Sequence, residues 1–222
     1  MSGPHAAQAA PPGVTAPPSV PSSRLLMTLG LGGAFAGLLL ATVYEKTLPA
    51  IQKHADERIA GAVNEVLGQP ARVETLYLIG DRLSRTPPTG VALREVTKAY
   101  VGFDDQDART GVAVEAAEPG FADEVRLMVG FDPATRTLTG YAVLGQKETP
   151  GLGDKIEKDA KFLARFKGKV APVKGVKTSS TDPGTVETIT GATISSRAVI
   201  QIINRAVEQW QPRLLTFDKE GG

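Results

Sequence analysis

Hydroxyl-bearing residues are concentrated in one segment near the C-terminus. A short extended run from Val186 to Thr190 meets a Gly-Ala-Thr turn, and a long amphipathic helix pattern follows. A strand, a turn of small residues and a helix can together hold a phosphate, because the first N–H groups of the helix point at the anion. The pattern alone also fits an ordinary capped helix start, so both interpretations stay open at this point.

The residues of this turn have complementary roles in the phosphate-binding interpretation. Gly191 and Ala192 are small enough to let the backbone approach an anion closely, and Arg197 offers a counter-charge. Four side chains supply hydroxyls: Thr190, Thr193, Ser195 and Ser196.

A second motif precedes the first and reads Glu148-Thr149-Pro150-Gly151-Leu152-Gly153-Asp154. Its proline and two glycines predict a tight loop that exposes backbone amides. Such a loop can place Leu152 against a flat ligand. A simple turn between a strand and a single helix is the alternative, and in both cases Asp154 can cap that helix and Gly168 can end it.

The two motifs together resemble those of the G subunit of the Rnf electron-transport complex, which carries FMN covalently. The related C subunit of the sodium-pumping NADH:quinone reductase shares the same framework. The Asp-Lys-Ile-Glu continuation after Gly153 and the Ser-Arg-Ala-Val ending at 196–199 are closer to the Rnf G subunit. The resemblance extends from Leu25 to about Leu215.

The resemblance implies that FMN is attached through a phosphoester bond to Thr193. The family usually has Ser where this chain has Thr190, and often Thr where it has Ser195, and both changes keep the hydroxyl. The other residues predicted to contact the cofactor are Thr190, Gly191, Ala192, Ser195, Ser196, Arg197, Glu148, Thr149, Leu152 and Gly153.

Composition excludes several other classes of function. The 222 residues include 25 basic and 24 acidic ones, and the net charge of +1 gives no support for a nucleic-acid partner. The absence of cysteine removes disulfides, iron–sulfur ligation and thiolate chemistry. The two histidines, His5 and His54, lie outside the predicted globular part, so no histidine-based triad, catalytic residue or metal site is predicted there.

A run of 20 uncharged residues from Leu25 to Tyr44 is long enough, at about 30 Å, to span the core of a bilayer. The alternatives are a buried core helix, which normally shows more polar positions than Thr28 and Thr42, and a cleaved signal peptide, because Ala34-Phe35-Ala36 resembles a cleavage site. Cleavage there would leave an exposed apolar terminus, so we predict an uncleaved transmembrane helix. The charges around the span weakly favour a cytoplasmic C-terminus, whereas the family resemblance implies a periplasmic one in the inner membrane of a bacterium, and we adopt the latter.

The rest of the chain predicts an α+β fold, in which an antiparallel meander forms a twisted sheet with packed helices. Alternating apolar residues at Val125, Leu127, Val129 and Phe131 predict one of its strands. The predicted segments are a disordered tail at 1–24, the transmembrane helix at 25–44, a juxtamembrane amphipathic helix at 45–70, the FMN-binding domain at 71–215 and a tail at 216–222.

The leading hypothesis is a membrane-anchored flavoprotein that relays electrons between partner subunits of an ion-translocating complex, without a substrate pocket of its own. Its expected partners are the other membrane subunits, a flavin transferase that attaches FMN, and the lipid bilayer. The alternatives are a component of the sodium-pumping quinone reductase, another membrane FMN protein, or an anchored binding module without redox chemistry.

Overall fold

The computed structural model describes residues 21–178, 181–182 and 184–219. The chain divides into two compact units, Met1–Gln52 and Lys53–Gly222. Most of the predicted tail at 1–24, including His5, therefore lies outside the described residues, as does the end of the predicted tail at 216–222.

The first helix, α1, runs without interruption from Ser22 to Val66 and contains Pro49. By length and composition it could cross a membrane. The predicted transmembrane and juxtamembrane segments are thus parts of one helix. The helix ends where Gly68 and Gln69 adopt left-handed backbone conformations, with φ of 73° and 59°, as is common at the C-termini of helices.

A six-stranded antiparallel sheet forms the centre of the second unit. Its strands lie in the order β2-β1-β3-β4-β5-β6, so β1 and β3 to β6 form the predicted meander and β2 adds an edge strand that the sequence did not predict. The strands are β1 (Arg72–Ile79), β2 (Arg82–Ser84), β3 (Lys98–Phe103), β4 (Arg109–Pro119), β5 (Glu124–Phe131) and β6 (Leu138–Gly145).

Each face of this sheet packs against different helical residues, because successive side chains of a strand point to opposite faces. On one face Ala62, Val63, Val66 and Leu67 at the end of α1 pack in a small core that includes Met128. On the other face the predicted row from Val125 to Phe131 joins the main core with the last helix, α4 (Thr193–Lys219). The predicted α+β class is confirmed.

The segment after β6 differs from the prediction. A single helix was expected from Asp154 to Gly168, but the structure has two short ones, α2 (Lys155–Lys158) and α3 (Ala160–Ala164). Asp159 separates them because its backbone is extended and its carboxylate accepts hydrogen bonds from the N–H groups of Lys161 and Phe162. The side chain of Asp154 makes no capping hydrogen bond, so the predicted cap was wrong.

A parallel pair of short strands, β7 (Lys174–Val176) and β8 (Thr185–Glu187), leads into α4. The helix continues to Lys219, so residues 216–219 of the predicted tail are helical. These elements bring the Gly-Ala-Thr turn before α4 close to the loop before α2.

Candidate functional site

The turn before α4 is braced by Ser196. Its hydroxyl accepts a hydrogen bond from the N–H of Ile189 at 3.0 Å and donates one to the carbonyl of Ala192 at 2.8 Å. Gly191 has a φ of 84°, a left-handed conformation that glycine adopts without the strain a Cβ would add. The turn therefore delivers Thr193 to the first position of α4 in a defined geometry.

The carboxylate of Glu148, which is 4% exposed, joins three separate segments of the chain. Its Oε1 accepts hydrogen bonds from the N–H groups of Phe121 at 2.9 Å and Ala122 at 3.1 Å. Its Oε2 accepts one from the hydroxyl of Ser195 in α4. Such charge-assisted bonds satisfy a buried carboxylate and fix the loop after β4 against the start of α4.

The loop around Gly151 packs tightly on the same carboxylate. A Cβ on Gly153 would lie 2.8 Å from the Cβ of Glu148 and 3.0 Å from the Oγ of Ser195, so this position has no room for a side chain. Gly151 has a φ of 77°. Gly153 therefore allows a close approach between this loop and α4 that a larger residue would prevent, and Gly151 supplies a left-handed conformation that glycine adopts without strain.

Asp154 closes the loop on its other side. Its carboxylate accepts a hydrogen bond from the Nζ of Lys158 at 2.7 Å, and this bond is the main reason that the pKa of Asp154 is lowered below its usual value. The charged pair fixes the end of the loop where α2 begins.

The two motifs enclose a cavity of about 370 Å³, a volume within the usual range for small-molecule sites. Seven of the predicted contact residues line it: Thr149, Leu152, Gly153, Gly191, Ala192, Thr193 and Ser195. Glu148 lies beside the cavity, where its carboxylate joins the loop after β4 to the start of α4. Thr190 and Arg197 are exposed and do not line it, and Ser196 is buried in the turn.

Phe121 and Ile194 also line the cavity, although neither was predicted as a contact residue. Phe121 comes from a turn 27 residues before Glu148 in the chain, and no local pattern connects the two. Ile194 directly follows the Gly-Ala-Thr turn, and its apolar type immediately after Thr193 was the available signal.

The arrangement fits a ligand that has an anionic group at one end and a flat apolar ring at the other. The first-turn N–H groups of α4 and the small residues before it suit the anion. Leu152, Phe121 and Ile194 provide apolar surface for a ring. The residues present therefore fit FMN, which has both parts.

Residues 120–208 match the FMN-binding domain family, a range that contains every residue lining the cavity. The G subunit of the ion-translocating oxidoreductase complex of Methanosarcina acetivorans is 30% identical over 191 residues, which cover 84% of this chain and 93% of that protein. The chain belongs to this G-subunit family. The family predicted from the two motifs is thereby confirmed.

A second relative in the G-subunit family, from Aliivibrio fischeri, is 28% identical over 86% of this chain and 92% of its own length. Two solved structures have the same fold, each with a TM-score of 0.58 and 18% identity. NqrC of Shewanella oneidensis covers 74% of this chain and 99% of its own. The C subunit of the Na(+)-translocating NADH-quinone reductase of Parabacteroides distasonis covers 77% of this chain and 96% of its own. These two structures show the shared fold alone, and the G-subunit relatives do not favour the quinone-reductase alternative. With the apolar stretch of α1, membership of this family makes the chain a membrane-anchored protein.

Proposed function

We propose that this chain is the FMN-carrying electron-transfer subunit of an ion-translocating oxidoreductase complex, with FMN joined to Thr193 by a phosphoester bond. The observation that carries this proposal is the position of Thr193: its hydroxyl stands at the first turn of α4, on a cavity lined by both sequence motifs. The FMN-binding domain match and the G-subunit relatives support the nature of the cofactor and of the complex.

The neighbouring hydroxyls are less suitable for attachment. Ser195 and Ser196 are buried, and both hydroxyls are already hydrogen-bonded inside the protein. Thr190 is exposed but lies outside the cavity. Thr193 is half-buried and lines the cavity, and within the described residues its hydroxyl makes no hydrogen bond, so it is both accessible and free to react.

The charge of the proposed linkage is accommodated by α4. A phosphate esterified at both ends keeps one negative charge, and the N-terminus of a helix stabilises such a charge by about 0.3–1 kcal/mol. Arg197 lies one turn further on, is exposed and has no ion-pair partner within the described residues. It is therefore the residue available to neutralise the phosphate.

Bound FMN supplies one- and two-electron transfer, which the side chains of this protein cannot perform. The protein's own residues hold and orient the cofactor: Thr193 retains it, Glu148 and Ser195 fix the cavity wall, and Leu152 covers its apolar part. Attachment prevents loss of the cofactor outside the cytoplasm. We propose that electrons pass between this site and partner subunits rather than to a diffusible substrate.

In-gel fluorescence tests the attachment. The full-length protein is produced with a flavin transferase, denatured and separated on a gel. We expect a fluorescent band for the wild type and for Thr190→Val, and none for Thr193→Val, which keeps the shape of threonine but lacks its hydroxyl. A dark wild-type band would refute covalent attachment, and a fluorescent Thr193→Val band would refute the assigned residue.

We further propose that residues 25–44 cross the inner membrane, that 45–70 connect the span to the domain, and that the FMN domain at 71–215 faces the periplasm. The chain has no cysteine, so a single cysteine introduced at Gln106, in the exposed turn between β3 and β4, reports its own accessibility. A membrane-impermeant maleimide should label Gln106→Cys in intact cells and Ser19→Cys only after permeabilisation. The reverse pattern would place the domain in the cytoplasm.

A further inference from the structure

Three large apolar side chains are exposed around the same cavity. Phe121 is 63% exposed, Ile194 54% and Leu152 46%. The other strongly exposed large apolar residues described in the second unit lie outside this cavity: Val73, Ile79, Val91, Leu93 and Val170. A cluster of exposed apolar groups at a cavity marks a surface that a ligand or partner covers.

The exposure of Phe121 is imposed by a well-defined backbone. Its N–H donates to the buried carboxylate of Glu148 at 2.9 Å, and the N–H of Gly120 donates to the carbonyl of Asp123 at 2.8 Å. A Cβ on Gly120 would lie 2.8 Å from both that carbonyl and the Cγ2 of Val125, so the turn admits only glycine there. A buried charge and a glycine thus hold an aromatic ring at the cavity mouth.

Among the described residues that line the cavity, Phe121 is the one aromatic residue. Aromatic rings pack against other flat rings in offset or edge-on arrangements that favour the pair beyond simple burial. Phenylalanine has no polar tip, so it offers a ring ligand an apolar surface and no hydrogen bond.

We propose that Phe121 forms part of the binding site for the flavin ring, so that the ring of FMN held at Thr193 packs against the phenyl group. This assignment rests on the proposed function, because it requires FMN at this site. It gives Glu148 a second role, since the carboxylate that binds Ser195 also positions the turn that carries Phe121.

Phe121→Trp tests the contact directly, because an indole in contact with a flavin quenches the flavin's emission by photo-induced electron transfer. The full-length protein is loaded by a flavin transferase, and its emission is measured in the native state and again after denaturation. The ratio of the two is independent of how much flavin each variant carries. We expect Phe121→Trp to lose most of its native emission relative to wild type and to regain it on denaturation.

The chain offers a matched control. Ile79 is 45% exposed and ends β1 two residues before Asp81, which pairs with Arg213. Arg213 lies 20 residues after Thr193 in α4, about 30 Å along the helix axis. Ile79→Trp should therefore keep the wild-type ratio. The native Trp210, 17 residues after Thr193 and 5% exposed, is about 25 Å away along the same helix and gives a constant background.

Removal of the ring gives a second readout. Phe121→Ala should make the native flavin severalfold more sensitive to quenching by iodide in solution, because one face of the ring loses its cover. Equal ratios for Phe121→Trp and wild type, or unchanged iodide quenching in Phe121→Ala, would overturn the assignment while a fluorescent denatured band still supported attachment. A dark denatured band for the wild type would overturn the proposed attachment together with the proposed contact between Phe121 and the flavin ring.

Discussion

Replacement of Ser195 by alanine removes one of the three hydrogen bonds that hold the buried carboxylate of Glu148. The hydroxyl of Ser195 donates to Oε2, whereas Oε1 keeps its two bonds from the N–H groups of Phe121 and Ala122. A hydrogen bond to a charged group contributes about 1.5–3 kcal/mol. We therefore expect Ser195→Ala to lower the free energy of unfolding by about 2 kcal/mol, equivalent to a fall of roughly 4–8 °C in Tm.

The assay is denaturation of the full-length protein in detergent, followed by the fluorescence of Trp210. This is the only tryptophan in the chain, and it is buried in the same helix as Ser195. Thr190→Ala is the control, because Thr190 is exposed and its hydroxyl makes no hydrogen bond within the described residues. It should change the stability by less than about 0.5 kcal/mol.

A double-mutant cycle separates the charge from the hydroxyl. In a Glu148→Gln background the partner of Ser195 is neutral, and a neutral hydrogen bond contributes only about 0.5–1.5 kcal/mol. Ser195→Ala should therefore cost about 1 kcal/mol less in that background. An equal loss of stability in both backgrounds, or a loss no greater than that of the Thr190 control, would refute the proposal that the charge of Glu148 joins these segments.

Two further changes test the loops that surround the cavity. The hydrogen bond from Lys158 lowers the pKa of Asp154 below its usual 3.8, so the folded state releases the proton more readily than the unfolded state. The ion pair therefore stabilises the fold above the usual pKa, and this contribution is lost as the pH falls through the lowered pKa. The stability of wild type should thus fall more steeply from about pH 5 to about pH 3 than that of Asp154→Asn, and parallel curves in urea titrations would contradict this. Gly191→Ala should lower the free energy of unfolding by about 1–2 kcal/mol, because the φ of Gly191 is 84°. Gly145→Ala is the control and should be nearly neutral, because a Cβ there would meet nothing within 4 Å and the backbone is not left-handed. Equal urea midpoints for the two variants would show that the turn tolerates a Cβ.

Local sequence patterns predicted the parts of the fold that depend on local physics. The alternation from Val125 to Phe131 identified β5 and the face that it buries, because a strand has a period of two residues. The single predicted helix after Asp154 was wrong for a reason that is also local: the side chain of Asp159 competes for the backbone N–H groups of Lys161 and Phe162 and starts a new helix.

The candidate site divides along similar lines. The cavity-lining residues of the two motifs were predicted because their sequence order is distinctive. The hydrogen bonds of Glu148 were not predicted, because its partners Phe121 and Ser195 lie 27 and 47 residues away in the chain. Such contacts are decided by how β4, β6 and α4 pack, and no periodicity in the chain encodes them.

The most direct test of the account is to locate the flavin by peptide mapping. Trypsin cuts after Lys177 and Arg197, and the intervening peptide, 178–197, contains the whole Gly-Ala-Thr turn. Mass spectrometry of protein matured with a flavin transferase should find this peptide heavier by one FMN less one water, and fragmentation should place the added mass on Thr193. An unmodified peptide, or the same added mass on Thr190, Ser195 or Ser196, would contradict the assignment of Thr193 as the attachment site.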